Sequence, residues 1–63
     1  MPLIHVEIME GRTDTQVADL IKNLTTATEE TLKVPRENIR VIVKEVPKTH
    51  WGIGGETAKN LGR

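Results

Sequence analysis

Two runs of alternating β-branched residues, separated by one stretch of helical length, leave this chain few ways to fold. In Leu3 to Met9, Ile4, Val6 and Ile8 recur at every second position while Leu3, His5, Glu7 and Met9 face the other way, the period of a strand with one apolar face. Ile39 to Val46 repeats the pattern, with Ile39, Val41 and Val43 on one face. Between the runs, Glu10-Gly11-Arg12 breaks the first strand, and Gly11 supplies the turn. Thr13-Asp14-Thr15-Gln16 then reads as a capping box, in which Thr13 accepts from the backbone at Gln16 and the Gln16 side chain reaches back. Val17, Leu20, Ile21, Leu24, Thr28, Thr31 and Leu32 fall on one helical stripe, with Asp19, Lys22, Asn23, Glu29 and Glu30 largely off it. The helix is expected to end near Lys33, because Pro35 drives Val34 out of the helical region. Strand, helix, strand at this spacing is a βαβ unit of class α/β (α+β), with parallel strands and a right-handed crossover.

Such a unit is incomplete by itself. Sixty-three residues support one domain, residues 1–63, and below about 70 to 80 residues a single core rarely leaves more than about 3 to 5 kcal/mol net. There is no cysteine for a disulfide, and two histidines without cysteine offer no zinc-ligand spacing. One helix covers one face of a two-stranded sheet and leaves the other face and at least one edge bare. Association with further copies is the remaining staple, so a homo-oligomer is expected. Nine basic residues balance nine acidic ones with no block of either sign, which argues against electrostatic capture of nucleic acid. The longest wholly apolar run is Val41-Ile42-Val43, and the N-terminus lacks the basic and apolar regions of a signal peptide. No membrane association is expected, and the cytoplasm is the expected location.

Five features bear on chemistry. Pro2 heads the first strand, a position that tolerates a residue without an amide hydrogen. It reads either as a plain strand start or, once aminopeptidases have removed Met1, as a rigid secondary amine usable as a base. Arg12 stands just before the helix start, where the helix dipole disfavours a cation. It is either a solvated side chain or part of a site, since local rules are broken most often at functional positions. Arg40 interrupts an apolar strand and raises the same choice, with an ion pair to Glu37 or Glu45 as its structural explanation. Trp51 is the only aromatic residue and stands beside glycines, so it is expected to pack against a second protomer or to wall a small-molecule site. His50 beside it is a candidate acid or base.

Weaker signals surround these. His5 and Glu7 share a strand face without the Cys-x-x-Cys of a zinc deaminase, which leaves an interface or surface pair. Trp51-Gly52-Ile53-Gly54-Gly55 is too glycine-rich for a core strand and reads as a loop or small hairpin after a turn at Pro47 to His50. A short helical turn is expected around Thr57 to Leu61, with Gly62-Arg63 frayed.

Pro2, Glu10-Gly11-Arg12, Arg40-Val41-Ile42 and His50-Trp51-Gly52-Ile53-Gly54-Gly55-Glu56, in that order and spacing, resemble the 4-oxalocrotonate tautomerase family of the tautomerase superfamily over nearly the whole chain. The resemblance implies a βαβ protomer with a short C-terminal hairpin, paired into dimers with a four-stranded sheet, three of which form a homohexamer. It implies a cofactor-free isomerase of aromatic-hydrocarbon catabolism that converts 2-hydroxymuconate, a small dicarboxylate, to its conjugated 2-oxo isomer. Pro2 would be the catalytic base, taking the enol proton and returning it to a carbon further along the conjugated acid. Arg12 would hold the remote carboxylate, and Arg40, from a neighbouring protomer, the carbonyl and carboxylate end. Trp51 stands where the best-known members have a phenylalanine wall.

The chemistry of these residue types agrees. An α-amine titrates near about 7.7 to 8.0 in a model peptide, and burial and nearby Arg cations both lower that value toward the range where a general base works best. Guanidinium forks match carboxylates bidentately and can stabilise dienolate charge without a metal. Two other readings stay open: a non-catalytic oligomeric scaffold with Pro2 as a plain strand start, and a dehalogenase or hydratase relative using Glu7 or Glu56 as an added carboxylate, although Gly52, Ile53, Gly54 and Gly55 after Trp51 supply no such carboxylate and argue against dehalogenation.

Overall fold

A computed structural model describes residues 1–63. Strand β1 (Leu3–Met9) leads to helix α1 (Asp14–Leu32), a 3-10 turn (Arg36–Asn38), strand β2 (Arg40–Val46), a second 3-10 turn (Lys48–His50), and the short strands β3 (Gly52–Ile53) and β4 (Glu56–Thr57). β1 and β2 pair in parallel from Leu3↔Arg40 to Met9↔Val46, and β3 and β4 pair antiparallel, so the βαβ unit with a C-terminal hairpin is present.

The helix boundaries follow from local chemistry. Thr13 Oγ1 accepts from the Gln16 N–H at 3.1 Å, and Gln16 Oε1 accepts from the Thr13 N–H at 3.0 Å, closing the capping box. At the far end Lys33 turns left-handed at φ 57°, and its N–H donates to the Glu29 carbonyl. Arg36, just past Pro35, then reaches back along α1: its Nη1 donates to Glu29 Oε1 at 3.0 Å and to Thr26 Oγ1 at 3.1 Å. That clasp fixes where the chain re-enters the sheet.

Three expectations need correction. Ile39 is not the first residue of β2, because its N–H donates to the Arg36 carbonyl; pairing begins at Arg40, whose N–H donates to the Pro2 carbonyl at 3.0 Å. Thr31 and Leu32, assigned to the buried stripe, are exposed, Leu32 at 55%, because this protomer's sheet ends short of the last helical turn. Gly62 and Arg63 are tied rather than frayed: the Arg63 N–H donates to Ala58 O and the Gly62 N–H to Lys59 O, with Gly62 at φ 75°. This 6→1 and 5→2 pair is the arrangement that closes helical turns on a left-handed glycine.

Only Ile39 and Ala58 are buried. Ile4, Val6, Ile8, Val41 and Val43 are half-covered on the side that faces α1, while the opposite face leaves Leu3 64% and Ile42 51% exposed. The radius of gyration is 14.6 Å, against about 11 Å for a compact chain of this length. The accessible surface is 4769 Å², against about 4,000 Å² for a folded monomer of this mass. The protomer is one layer of a core whose second layer has to come from elsewhere.

Candidate active site

Pro2 lies immediately before β1, and its carbonyl is locked by the Arg40 N–H. Its ring borders a hollow lined by Leu24, Ala27, Thr28, Thr31 and Leu32 of α1 together with Leu3 and Ile4. No carboxylate lines that hollow.

Arg40 is a backbone neighbour of Pro2, but its guanidinium turns away. Nη1 donates to the Glu37 carbonyl oxygen at 2.6 Å, so of the structural explanations the ion pair with Glu37 or Glu45 is absent and the exposed side chain rests on backbone. Arg12 follows Gly11, whose φ of 117° no L side chain adopts readily, and lines a second hollow with Ile8, Gln16, Val17 and Leu20. The only ion pair in the chain is Arg36 with Glu29, so neither Arg12 nor Arg40 is committed to a carboxylate of its own protomer.

Trp51 is half-buried at the base of the hairpin. Its carbonyl accepts from the N–H of Ala58, a residue with 0% exposure, at 2.7 Å. Gly54 and Gly55, at φ 59° and 91°, form the two-residue turn between β3 and β4, a geometry that requires positive φ at both positions. The glycine run is therefore turn chemistry. Trp51 shares a third hollow with Glu7, Val46, His50 and Gly52, and Thr49 Oγ1 lies 2.8 Å from His50 Nδ1. His5 and Glu7 project from the open sheet face opposite Ile42 and Lys44.

One protomer does not bring the candidates together. Pro2 and Arg12 stand at opposite ends of seven-residue β1, about 23 Å of extended chain. Pro2, Arg12 and Trp51 each border a different hollow. One linking residue stood out in the sequence only as the start of the Glu10-Gly11-Arg12 break, without a role of its own: Glu10, whose Oε1 accepts from the Lys48 N–H at 3.3 Å. Its partner is a backbone group 38 positions away, and no local pattern encodes such a pair.

Comparison with known proteins adds the following. The family described as "Tautomerase enzyme" matches residues 2–60. The 2-hydroxymuconate tautomerase of Stutzerimonas stutzeri is 46% identical over 63 residues, covering 100% of both chains. Among solved structures, a 4-oxalocrotonate tautomerase isozyme from Methylibium petroleiphilum superposes with a TM-score of 0.94 at 45% identity, over 98% of this chain and 100% of that one. A heterohexameric 4-oxalocrotonate tautomerase from Chloroflexus aurantiacus does so with a TM-score of 0.91 at 38% identity, over 97% and 98%.

Proposed function

The chain belongs to the tautomerase family, and from that premise we propose that it isomerises 2-hydroxymuconate to the conjugated 2-oxo acid through the nitrogen of Pro2. The observation that carries the reading is the position of Pro2, fixed by Arg40 at the mouth of an apolar hollow free of carboxylates. With Met1 removed, the Pro2 lone pair takes the 2-hydroxyl proton, breaking O–H and forming N–H. The electron pair moves through the diene as the carbonyl forms. The proton then passes from nitrogen to the remote carbon, completing the new C–H bond. One proton moves and none is consumed, so the reaction calls for no redox partner.

Arg12 and Arg40 are the substrate's carboxylate partners in this reading, consistent with their having no ionic partner of their own. Arg12 holds the remote carboxylate. Arg40 engages the carbonyl end, where charge develops, so it acts on the reacting system as well as on binding. Trp51 supplies an apolar wall. The distance along β1 requires that Pro2 and Arg12 of one site come from different protomers, and the bare sheet face and edge are where copies join. We take the assembly to be a homohexamer built as a trimer of dimers with four-stranded sheets, acting in the cytoplasm.

The test is ultraviolet tautomerisation of 2-hydroxymuconate by protein shown by intact mass to lack Met1, beside Pro2→Ala. A fall in kcat/KM of about 10²- to 10⁴-fold is expected, the range supplied by a positioned general base. The pH profile of kcat/KM should rise through a group at or below the α-amino range, because only the unprotonated amine is a base. Inactive processed wild-type protein would overturn the substrate.

A second reading has one observation in its favour. Glu7 lines the hollow beside Trp51, which puts a carboxylate next to the aromatic wall. Hydration of a small unsaturated acid, followed by proton NMR and lost in Glu7→Gln, would support that chemistry in place of proton transfer alone.

A further inference from the structure

Glu10 closes the end of the sheet farthest from Pro2. Its N–H donates to the Val46 carbonyl at 2.9 Å, carrying the β1–β2 ladder one step past Met9↔Val46. From that anchored position its carboxylate accepts the Lys48 N–H at 3.3 Å. Lys48 opens the 3-10 turn that delivers Trp51, and its carbonyl in turn accepts from the Lys59 N–H at 3.2 Å. In the other direction along the chain, Glu10 precedes Gly11 and Arg12. Beyond the ladder bond to Val46, this side chain is the link between the turn carrying Arg12 and the turn that delivers Trp51, and both turns are exposed.

The geometry points to Glu10 as a positioning residue for substrate binding, one that never touches the substrate and acts by holding Arg12 and Trp51 in fixed relation. This rests on the proposed roles of Arg12 and Trp51. Carboxylate is suited to the task because a charged acceptor makes a stronger bond to an N–H than a neutral one. The effect belongs to binding, because Pro2 is at the other end of β1. KM should rise on the order of tenfold on losing the contact, within what a small misplacement of binding groups costs, while kcat moves less.

Trp51 is the only aromatic residue, so its emission and its quenching by acrylamide report the hairpin directly, with or without activity. The experiment compares Glu10→Ala, Glu10→Gln, Lys48→Ala and Lys48→Pro in Met1-free oligomer, each checked by circular dichroism and sedimentation. Lys48→Pro deletes the N–H donor together with the side chain and leaves the backbone path intact, since Pro47 at φ −58°, ψ 145° already has the extended conformation a following proline requires. Lys48→Ala controls for the lost side chain and should match wild type. Glu10→Ala and Lys48→Pro should each raise Trp51 quenching and KM, and the double variant should be no worse than either single one, the signature of a shared contact. Glu10→Gln keeps an acceptor oxygen and should recover most of the loss. Additive effects, unchanged quenching in Glu10→Ala, or Gln behaving as Ala would each overturn the proposal. If the wild type does not turn over 2-hydroxymuconate, the quenching series still decides whether Glu10 positions the hairpin, and the substrate reading fails separately.

Discussion

At the scale of the residue, the arginines carry the sharpest expectation. A guanidinium without an ionic partner in its own protomer can give its full charge-assisted bond to a ligand, worth about 1.5 to 3 kcal/mol. Arg12→Ala should raise KM for 2-hydroxymuconate by about 10- to 100-fold with a smaller change in kcat. Arg12→Lys should restore little of it, because an ammonium lacks the planar fork. A Lys variant with wild-type KM would show that bulk charge, not bidentate geometry, holds the acid. Arg12, Arg40 and Trp51 were visible as candidates because each breaks a local rule, cations at a helix start and within an apolar strand and an indole among glycines, and Pro2 because removal of Met1 would make it a rigid amine. Glu10 breaks none. A carboxylate in a turn is ordinary, and its partner is a main-chain N–H that no sequence pattern marks.

At the scale of the element, legibility tracked how local the determining contacts are. Both ends of α1 rest on groups within four residues, namely the Thr13–Gln16 box and the Lys33 bond to Glu29, and these were readable, while β1 was readable from its own alternation. The start of β2 was not, because Arg36 draws the Ile39 N–H to its own carbonyl and clasps Glu29 and Thr26 across the loop. The exposed end of the α1 stripe escaped for a related reason, since periodicity shows which face is apolar and not whether a sheet reaches it. Two stability changes follow from the local contacts. Thr13→Ala should cost about 1 kcal/mol, the usual loss for a capping side chain. Lys33→Gly should gain about 0.5 to 1 kcal/mol, relief of the left-handed penalty less the entropy a glycine adds to the unfolded chain. Urea midpoints at fixed protein concentration would check both, and a neutral Thr13→Ala would mean that α1 is held by packing alone.

At the scale of the molecule, shape and function make the same demand. A chain with two buried residues, a bare sheet face and a surface above that of a compact monomer gains too little from folding alone, so its unfolding midpoint should rise with protein concentration. The catalytic reading needs several copies for an independent reason: β1 holds Pro2 and Arg12 of one protomer about 23 Å apart, too far to grip one small diacid. Any site uniting them draws Pro2 from one copy and Arg12 from another. Two impaired variants, assayed with substrate far below the raised KM of Arg12→Ala, should then complement each other. Pro2→Ala and Arg12→Ala homo-oligomers, unfolded together in denaturant and refolded, should form mixed assemblies in which some sites receive an intact Pro2 from the Arg12→Ala chain and an intact Arg12 from the Pro2→Ala chain. Sites of that kind reach about a quarter of the total under random mixing of equal amounts, so activity should return to that order while unmixed controls stay low. Mixed oligomers, verified by native mass spectrometry, that stay as impaired as either parent would mean that each site takes both residues from one chain, which the length of β1 forbids, or that one of the two has no part in the reaction.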